Sequence, residues 1–221
     1  MSSQPFLSFF FTENRGPARV PLDWQTRLKL AQDAAHGLAY LHGVSGGKLS
    51  HRHLTSSNIL VDGSGTARVS DFALLQLLSP APATGDYSSL QKQDVHGFGV
   101  VLLELLTGRQ PSSEDLPRWA RPAVREEWAS EVLDVELQRG RGAEDEMVAL
   151  LQVALLCVAE EPGERPRMAV VAKMIEDIRD RGSKRSNKYS ASTSQSQAGR
   201  SYESSPCVSS DTTRSTPASS S

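Results

Sequence analysis

The stretch that decides the fold begins with the loop His51-Arg52-His53-Leu54-Thr55-Ser56-Ser57-Asn58 and ends with the loop Ser70-Asp71-Phe72-Ala73. The runs that connect these loops are Asn58-Ile59-Leu60-Val61 and Ala67-Arg68-Val69-Ser70, and they are separated by Asp62-Gly63-Ser64-Gly65. Short β-branched runs joined by a turn sequence of Asp and Gly are typical of a β-hairpin. The sequence therefore predicts two polar loops at the base of a small hairpin.

Helical patterns flank this stretch on both sides. Upstream, Asp23 can cap a helix whose apolar residues recur at three- and four-residue steps over 24–42. Downstream, the nearly continuous apolar segment 95–106 follows the capping candidate Asp94, which predicts a buried helix that forms the axis of the core. Two further amphipathic helices are predicted from these apolar positions: Met147, Leu150, Leu151, Ala154, Leu155 and Val158, then Met168, Val171, Ile175 and Ile178.

The composition excludes several classes of function. The 221 residues include 24 basic and 26 acidic ones, and a net charge of −2 creates no overall field that attracts nucleic acid or an acidic membrane. Cys157 and Cys207 lack the spacing of a metal site or a disulfide framework and fit a reducing, intracellular setting. The apolar run 6–11 is shorter than the roughly 18 residues of a membrane-spanning helix. We therefore expect a soluble chain with no membrane span and no nucleic-acid partner.

The C-terminal part of the chain differs in composition from the rest. Ser or Thr occupies 19 of the 39 positions in 183–221, and the hydrophobic periodicity disappears there. Such a stretch cannot bury enough apolar area to offset its chain entropy. The sequence predicts a folded domain that ends near Gly182 and a disordered Ser/Thr-rich tail at 183–221.

The two polar loops resemble the catalytic loop and the metal-binding loop of protein kinases, whose pattern is His-Arg-Asp, four residues and Asn, followed by Asp-Phe-Gly. The start of the buried segment, Asp94-Val95-His96-Gly97-Phe98-Gly99, completes an ordered set. The resemblance covers residues 6 to about 180 and is closest to the plant leucine-rich-repeat receptor-like kinases. Further matches are Pro21-Leu22-Asp23-Trp24, Gly37-Leu38-Ala39-Tyr40-Leu41-His42, Val101-Leu102-Leu103-Glu104-Leu105-Leu106-Thr107-Gly108 and Glu164-Arg165-Pro166-Arg167-Met168.

This resemblance implies the fold and the setting of the chain. The implied fold is mainly α, a protein-kinase-like C-terminal lobe with a small β-hairpin at 21–182, and the upper lobe is expected to be absent. Residues 1–20 are expected to be a residual segment that follows the kinase hinge. We expect a cytoplasmic protein, or one at the cytoplasmic face of the plasma membrane if it is part of a full-length receptor. Its expected partners are other kinase domains or signalling proteins.

Several family residues that act in phosphoryl transfer are replaced in this chain. His53 stands where the family has the Asp that accepts or orients the proton of the substrate hydroxyl. Thr55 stands where the family has a Lys that helps to neutralise the transferring phosphate. Ala73 replaces the Gly of the second loop, and its Cβ restricts positive φ. The resemblance therefore predicts that His53 occupies the catalytic position without catalytic function.

Two ligand residues of the family remain. Asn58 and Asp71 match its magnesium ligands, which are oxygen donors suited to a hard cation, and they predict a weak, degenerate Mg-ATP site. The glycine-rich phosphate loop of the family, its strand Lys and the Glu partner of that Lys do not occur in the chain. We expect no bound cofactor, and Mg-ATP only if some activity remains.

Structural roles are implied for His51, Arg52, Asp94 and Arg165. Asp94 is expected to bond backbone amides near His51 and Arg52, which would stabilise the loop. In the family Arg165 pairs with the Glu of an Ala-Pro-Glu sequence that is missing before Asp94. We expect its guanidinium to find another acceptor or to stay hydrated, and its surroundings to loosen, because a buried unpaired charge is costly.

The loop histidines leave two alternatives open. His51, His53 and Asp71 could be zinc ligands, since alternate residues of an extended loop share one face and both residue types bind zinc. His53 could instead act as a general base, because an imidazole accepts a proton at neutral pH.

The leading hypothesis is a kinase-like domain fragment of a receptor-like kinase that is catalytically inactive and acts as a protein-binding signalling module. One alternative is an ATP-dependent Ser/Thr protein kinase with residual activity. The other is a truncated product without independent function.

Overall fold

Five α-helices and a small antiparallel sheet make up the described part of the chain, which covers residues 4–5, 21–72, 86–109, 115–125, 131–137 and 142–197 of a computed structural model. The strands are β1 (Gln4–Pro5), β2 (Ile59–Val61) and β3 (Ala67–Val69), and the helices are α1 (Trp24–Gly43), α2 (Tyr87–Thr107), α3 (Asp115–Arg125), α4 (Glu144–Cys157) and α5 (Met168–Gln197). The predicted mainly α fold with a small hairpin is confirmed. Within the described residues, no helix combines the length and the apolarity that crossing a membrane requires.

Helix α1 begins where the sequence predicts it. The Asp23 side chain accepts a hydrogen bond from the Thr26 amide at 2.8 Å, which satisfies a donor of the first turn. The apolar stripe, including Leu28, Ala35 and Leu38, is buried without exposed surface. This stripe turns α1 toward the core and leaves its polar face in water.

The predicted hairpin is present as β2 and β3, with Ile59 opposite Val69 and Val61 opposite Ala67. Its turn is closed by Asp62, whose carboxylate accepts hydrogen bonds from the amide of Ser64 at 2.9 Å. Strand β1 also pairs with β2, antiparallel, and makes this a three-stranded sheet. Two residues are too few to show a strand pattern, which is why the sequence does not predict β1.

Helix α2 is the predicted core axis, but it begins earlier than predicted. Its N-terminal cap is Asp86, which accepts from the Ser89 amide at 3.1 Å, so the predicted cap at Asp94 is wrong. Asp94 lies inside the helix instead, and the polar first two turns hid the true start. The helix ends at Gly108, whose φ of 64° is in the left-handed region that glycine adopts readily.

Helix α4 packs closely against α2 at Gly99. A Cβ at Gly99 would lie 2.7 Å from Cys157 Cβ and from Val158 Cγ1, and 3.0 Å from the Ala154 carbonyl oxygen. Separations this short cannot be relieved by one flexible side-chain end, because the neighbours belong to a helix backbone and to its buried face. The glycine therefore sets the distance between the two central helices.

Gly99→Ala is expected to lower the free energy of unfolding by about 1–3 kcal/mol. The reason is that the free-energy cost of overpacking α2 against α4 is larger than the roughly 1 kcal/mol by which alanine stabilises a helix relative to glycine. Urea denaturation would measure it. Gly63→Ala is the matched control, since a Cβ there meets nothing within 4 Å. Equal stability of the two variants would contradict the close approach.

A buried arginine joins three separate parts of the lobe. Arg27 of α1 has a side chain that is 1% exposed, and its Nη2 lies 2.9 Å from Asp134 Oδ2. The same guanidinium donates to the Leu105 carbonyl at 2.8 Å and, through Nε, to the Leu22 carbonyl at 2.9 Å. Glu136 lies 3.0 Å from Nη2. Ion pairs thereby connect the segment 131–137 to α1, and a hydrogen bond of the same arginine connects α1 to α2.

The chain divides into the units Met1–Lys184 and Arg185–Ser221. Helix α5 has its N-terminal residues in the first unit, where Met168, Val171 and Ile175 are buried. In the second unit the structure describes the helical residues up to Gln197. The predicted tail disorder and the predicted boundary near Gly182 stay predictions, and residues 198–221 lie outside the described part.

Candidate functional site

The loop that carries His51 and Arg52 is anchored by Asp94 from α2. The two carboxylate oxygens of Asp94 accept from the backbone amides of His51 and Arg52, each at 2.6 Å. A third hydrogen bond comes from His42 Nε2 at 2.8 Å, and the Asp94 side chain is fully buried. Arg52 has a φ of 71°, a left-handed conformation that is unfavourable for a side chain with a Cβ. The Asp94 carboxylate therefore holds the loop in a strained shape.

The His51 imidazole connects the two polar loops. Its Nε2 donates to the Ser70 carbonyl at 2.8 Å, and the residue is 2% exposed. Ser70 also donates from its amide to the Asn58 carbonyl at 2.8 Å. His51 Nδ1 has no hydrogen-bond partner within the described residues. The buried His51 side chain thus connects the two loops by a hydrogen bond.

His53 is exposed, and its side chain has no hydrogen-bond partner in the described part of the chain. It stands in the position of the family's catalytic Asp, on a loop whose backbone Asp94 fixes. Leu54, the next residue, is buried against α2, where a Cβ on Gly97 would lie 2.6 Å from the Leu54 carbonyl oxygen. The missing Cβ at Gly97 lets the loop lie directly on the helix.

Asn58 faces two neighbours with opposite ends of its amide. Its Oδ1 accepts from Thr55 Oγ1 at 2.9 Å and from the Thr55 amide at 3.3 Å. Its Nδ2 donates to Asp71 Oδ2 at 3.2 Å. Asp71 has a φ of 63° and also accepts from the Ser70 hydroxyl at 3.1 Å. The structure therefore brings the two predicted magnesium ligands side by side.

This arrangement does not present two free oxygens to one cation. Magnesium requires oxygen donors in near-octahedral geometry, and the oxygen of Asn58 is directed at Thr55 rather than toward Asp71. Coordination by both side chains requires Asn58 to leave Thr55. The magnesium role stays a prediction, and Ala73, the third position of the second loop, lies outside the described residues.

The zinc alternative does not match the geometry. Among the described residues, no group of three or more His, Cys, Asp or Glu side chains converges as a metal site. His51 Nε2 is used by the Ser70 carbonyl, and His53 is exposed.

One buried acidic residue behind the loop is not among the predicted site residues. Glu104 of α2 is buried and hydrogen-bonds with the Ser56 side chain, while its Oε2 has no partner within the described residues. Burial raises the pKa of Glu104 to about 7, and the Ser56 hydrogen bond offsets this only in part. The available signal was a single carboxylate in the apolar run 95–106.

Glu104→Gln is expected to match the unmodified chain in stability near pH 4.5 and to exceed it by about 2–3 kcal/mol at pH 8. The unfolded chain releases the Glu104 proton near pH 4.5, while the folded protein holds it to about pH 7. The free energy of unfolding therefore falls as the pH rises through that window, and glutamine removes this loss. Urea denaturation across the pH range would measure the difference in stability between the two proteins. A difference that does not depend on pH would contradict the raised pKa of Glu104.

Arg165 finds its acceptors in backbone carbonyls. Its guanidinium donates to Ala159 at 2.8 Å and to Lys92 and Glu160 at 3.2 Å each. Lys92 Nζ in turn donates to the Arg165 carbonyl. Another acceptor, the first of the two expectations, describes this arrangement, and the expected loosening stays a prediction.

The chain is similar in sequence to known protein kinases. Residues 6–89 match the sequence model of the family described as protein tyrosine and serine/threonine kinase. A probable leucine-rich repeat receptor-like protein kinase of Arabidopsis thaliana is 47% identical over 78% of this chain and 29% of its own length. A probable inactive receptor kinase of the same plant is 43% identical over 76% of this chain and 30% of its own length. The chain thus spans about 30% of the length of these relatives.

The solved structures give the same result for the fold. The pseudokinase domain of BIR2, described as an immune regulator of the RLK/Pelle family, is similar with a TM-score of 0.65 and 33% identity. The match covers 73% of this chain and 54% of that one. Several of the similar receptor kinases are named inactive. The described lobe therefore has a kinase-like fold, which it shares with a domain described as a pseudokinase.

Proposed function

Since the chain belongs to the plant leucine-rich-repeat receptor-like kinases and corresponds to the C-terminal lobe of their kinase domain, we propose that it is a catalytically inactive, protein-binding signalling module. The observation that carries this proposal is His53. An exposed imidazole occupies the position of the proton-accepting Asp, on a loop that Asp94 still holds in shape. The scaffold of the catalytic loop is kept while its reacting group is replaced.

A second replacement supports the proposal. Thr55 stands at the position of the phosphate-neutralising Lys, and its hydroxyl is used to bind Asn58 Oδ1 at 2.9 Å. One change thus removes a positive charge and also engages the oxygen of a predicted metal ligand. Charge stabilisation and metal positioning are the main means by which kinases lower the barrier to phosphoryl transfer.

Phosphoryl transfer to a generic peptide and to the chain itself, measured with labelled ATP, tests the inactive assignment. We expect no transfer above a buffer blank. Transfer that disappears in Asp71→Asn would overturn the proposal, because a contaminating kinase would not respond to that change.

The proposed partners are other kinase domains or signalling proteins at the cytoplasmic face of the plasma membrane. The similar BIR2 pseudokinase is described as an immune regulator, which supports a role in regulation rather than in catalysis. Biolayer interferometry against a panel of cytoplasmic kinase domains from leucine-rich-repeat receptor-like kinases tests this. Saturable binding to at least one domain is expected, and binding to none would contradict the module role.

A second candidate function is a Ser/Thr kinase with residual activity. It is favoured by the contact of 3.2 Å between Asn58 and Asp71, which keeps both metal-ligand residues together. Two relatives are also named as protein kinases without the word inactive. In that case Asn58 and Asp71 would hold the magnesium ion, which supplies charge neutralisation to the phosphates of ATP.

Mg-ATP is expected to bind the chain no more tightly than about 1 mM, which is about −4 kcal/mol. The reason is that the Asn58 oxygen must first leave Thr55, and the 221 residues contain no Gly-x-Gly-x-x-Gly loop for the phosphates. Isothermal titration calorimetry measures this affinity. Saturable binding in the low micromolar range would favour the residual kinase.

A further inference from the structure

A groove of about 680 Å³ lies beside the loop that carries His53, between α2, α3 and the segment that follows α4. Its apolar lining includes Leu54, Val100 and Val158. The volume falls within the range of roughly 300–1,000 Å³ that is usual for ligand clefts. Asn58 and Asp71 are not among its described lining residues, but the groove borders on their site through Thr55, which lines it and hydrogen-bonds to Asn58.

Arginine side chains dominate the charge of this groove. Arg118, Arg121 and Arg165 line it, and Glu160 is the single acidic residue among its described lining residues. Arg118 is exposed and has no ion pair within the described residues. Arg121 pairs with Glu160, whose side chain is 78% exposed, and donates to the Val158 carbonyl at 3.0 Å. A carboxylate thus already binds one guanidinium here, from the solvent side.

The half-buried His96 lies in the positive electrostatic potential of these arginines. Burial lowers the pKa of His96, and the nearby guanidinium groups of Arg165 and Arg121 lower it further. Its side chain has no hydrogen-bond partner within the described residues. An imidazole that faces two arginines gains a partner when an anion enters the groove.

Glu161 and Glu164 line the adjoining cavity, which shares Arg118 and Arg121 with this groove, and the charge of Glu161 acts on Arg165. The segment 73–85, which replaces the family's longer activation segment, contains no Asp or Glu. The family's acceptor for Arg165 is a Glu in that segment, and backbone carbonyls take its place here. Within the described lining of the groove itself, three arginines still exceed one acidic residue, and this favours a carboxylate from outside the chain.

We infer that this groove binds an acidic, extended peptide segment of a partner protein, with carboxylates on Arg118 and Arg121 and apolar side chains against Leu54, Val100 and Val158. This inference rests on the proposed protein-binding function and names its surface. Arg165 contributes charge while its own donors stay on backbone carbonyls, and the exposed Glu160 gives way to the incoming carboxylate.

The probe is a fluorescein-labelled peptide, Leu-Glu-Glu-Leu-Glu-Glu-Leu, whose binding to the full chain is measured by fluorescence anisotropy. The matched neutral peptide has Gln in place of Glu and is expected not to bind. Arg118→Gln with Arg121→Gln is expected to weaken binding by about tenfold. The control, Arg181→Gln with Lys184→Gln, removes two exposed charges from α5 and is expected to leave the affinity unchanged.

Two further measurements do not depend on the folding of the double variant. Glu160→Gln is expected to strengthen binding, because it removes the competing carboxylate. The pKa of His96, followed by NMR, is expected to rise when the acidic peptide saturates the groove. Equal binding of the neutral peptide, equal loss in the control variant, or an unchanged His96 signal would overturn the inference.

A phosphoserine version of the peptide distinguishes the nature of the anion. Affinity more than about tenfold above that of the Glu peptide would reassign the groove to phosphopeptides and overturn the carboxylate assignment. Failure of this inference can be distinguished from failure of the proposed function. If the chain binds kinase domains but not the acidic peptide, only the assignment of this groove is contradicted. If the chain transfers phosphate, the assignment as catalytically inactive is contradicted.

Discussion

Arg27→Ala is expected to lower the free energy of unfolding by about 3–5 kcal/mol, because it leaves a buried carboxylate without its partner. Asp134 is 3% exposed at its side chain and lies 2.9 Å from the Arg27 guanidinium. The Leu105 and Leu22 carbonyls lose their donors at the same time. A loss of this size is a large part of the stability of an ordinary domain. Urea denaturation followed by circular dichroism measures it.

Arg68→Ala is the matched control for this prediction. Arg68 makes an ion pair with Asp62 at 3.3 Å, but its side chain is 71% exposed, so the expected loss is about 0–1 kcal/mol. Similar losses in the two variants would show that burial does not decide the effect of the charge. Arg27→Ala with Asp134→Leu should recover part of the loss, since the more deeply buried of the two carboxylates is then removed with the arginine and only Glu136 is left without it.

Elements with an apolar stripe could be predicted from the sequence, because burial of one face imposes the period of the helix or the strand. Helix α1 and the pair β2 and β3 follow this rule. The start of α2 could not be predicted, since its first two turns are polar and show no stripe. Helix α3 contains Pro122, a residue that normally argues against a helix interior.

Long-range polar contacts could not be predicted from the sequence for a different reason. An arginine within an amphipathic helix is normally exposed, and the partner Glu136 is 109 residues away from Arg27. The motif spacing indicates which residues stand in the loops at Asn58 and Asp71, but not which end of the Asn58 amide faces each neighbour. That orientation depends on Thr55, whose hydroxyl competes for the same oxygen.

Repair of the catalytic loop is expected to fail. His53→Asp restores a proton acceptor, which is typically worth 10²- to 10⁴-fold in rate, and Thr55→Lys restores a positive charge. The double variant is nevertheless expected to transfer no phosphate from labelled ATP above a buffer blank. The reason is that orientation of the phosphates supplies several further kcal/mol of barrier lowering, and the 221 residues contain no glycine-rich loop to provide it.

The structure also limits what the second substitution can achieve. Thr55→Lys removes the hydroxyl from Asn58 Oδ1, but the backbone amide of residue 55 stays 3.3 Å from the same oxygen. His36→Asp, an equivalent change at an exposed position of α1, is the matched control for the added carboxylate. Transfer by the double variant that is absent in His36→Asp and abolished by Asp71→Asn would show that His53 and Thr55 alone keep this lobe inactive. Because two substitutions cannot replace a phosphate-binding loop, we expect all three proteins to remain at the blank.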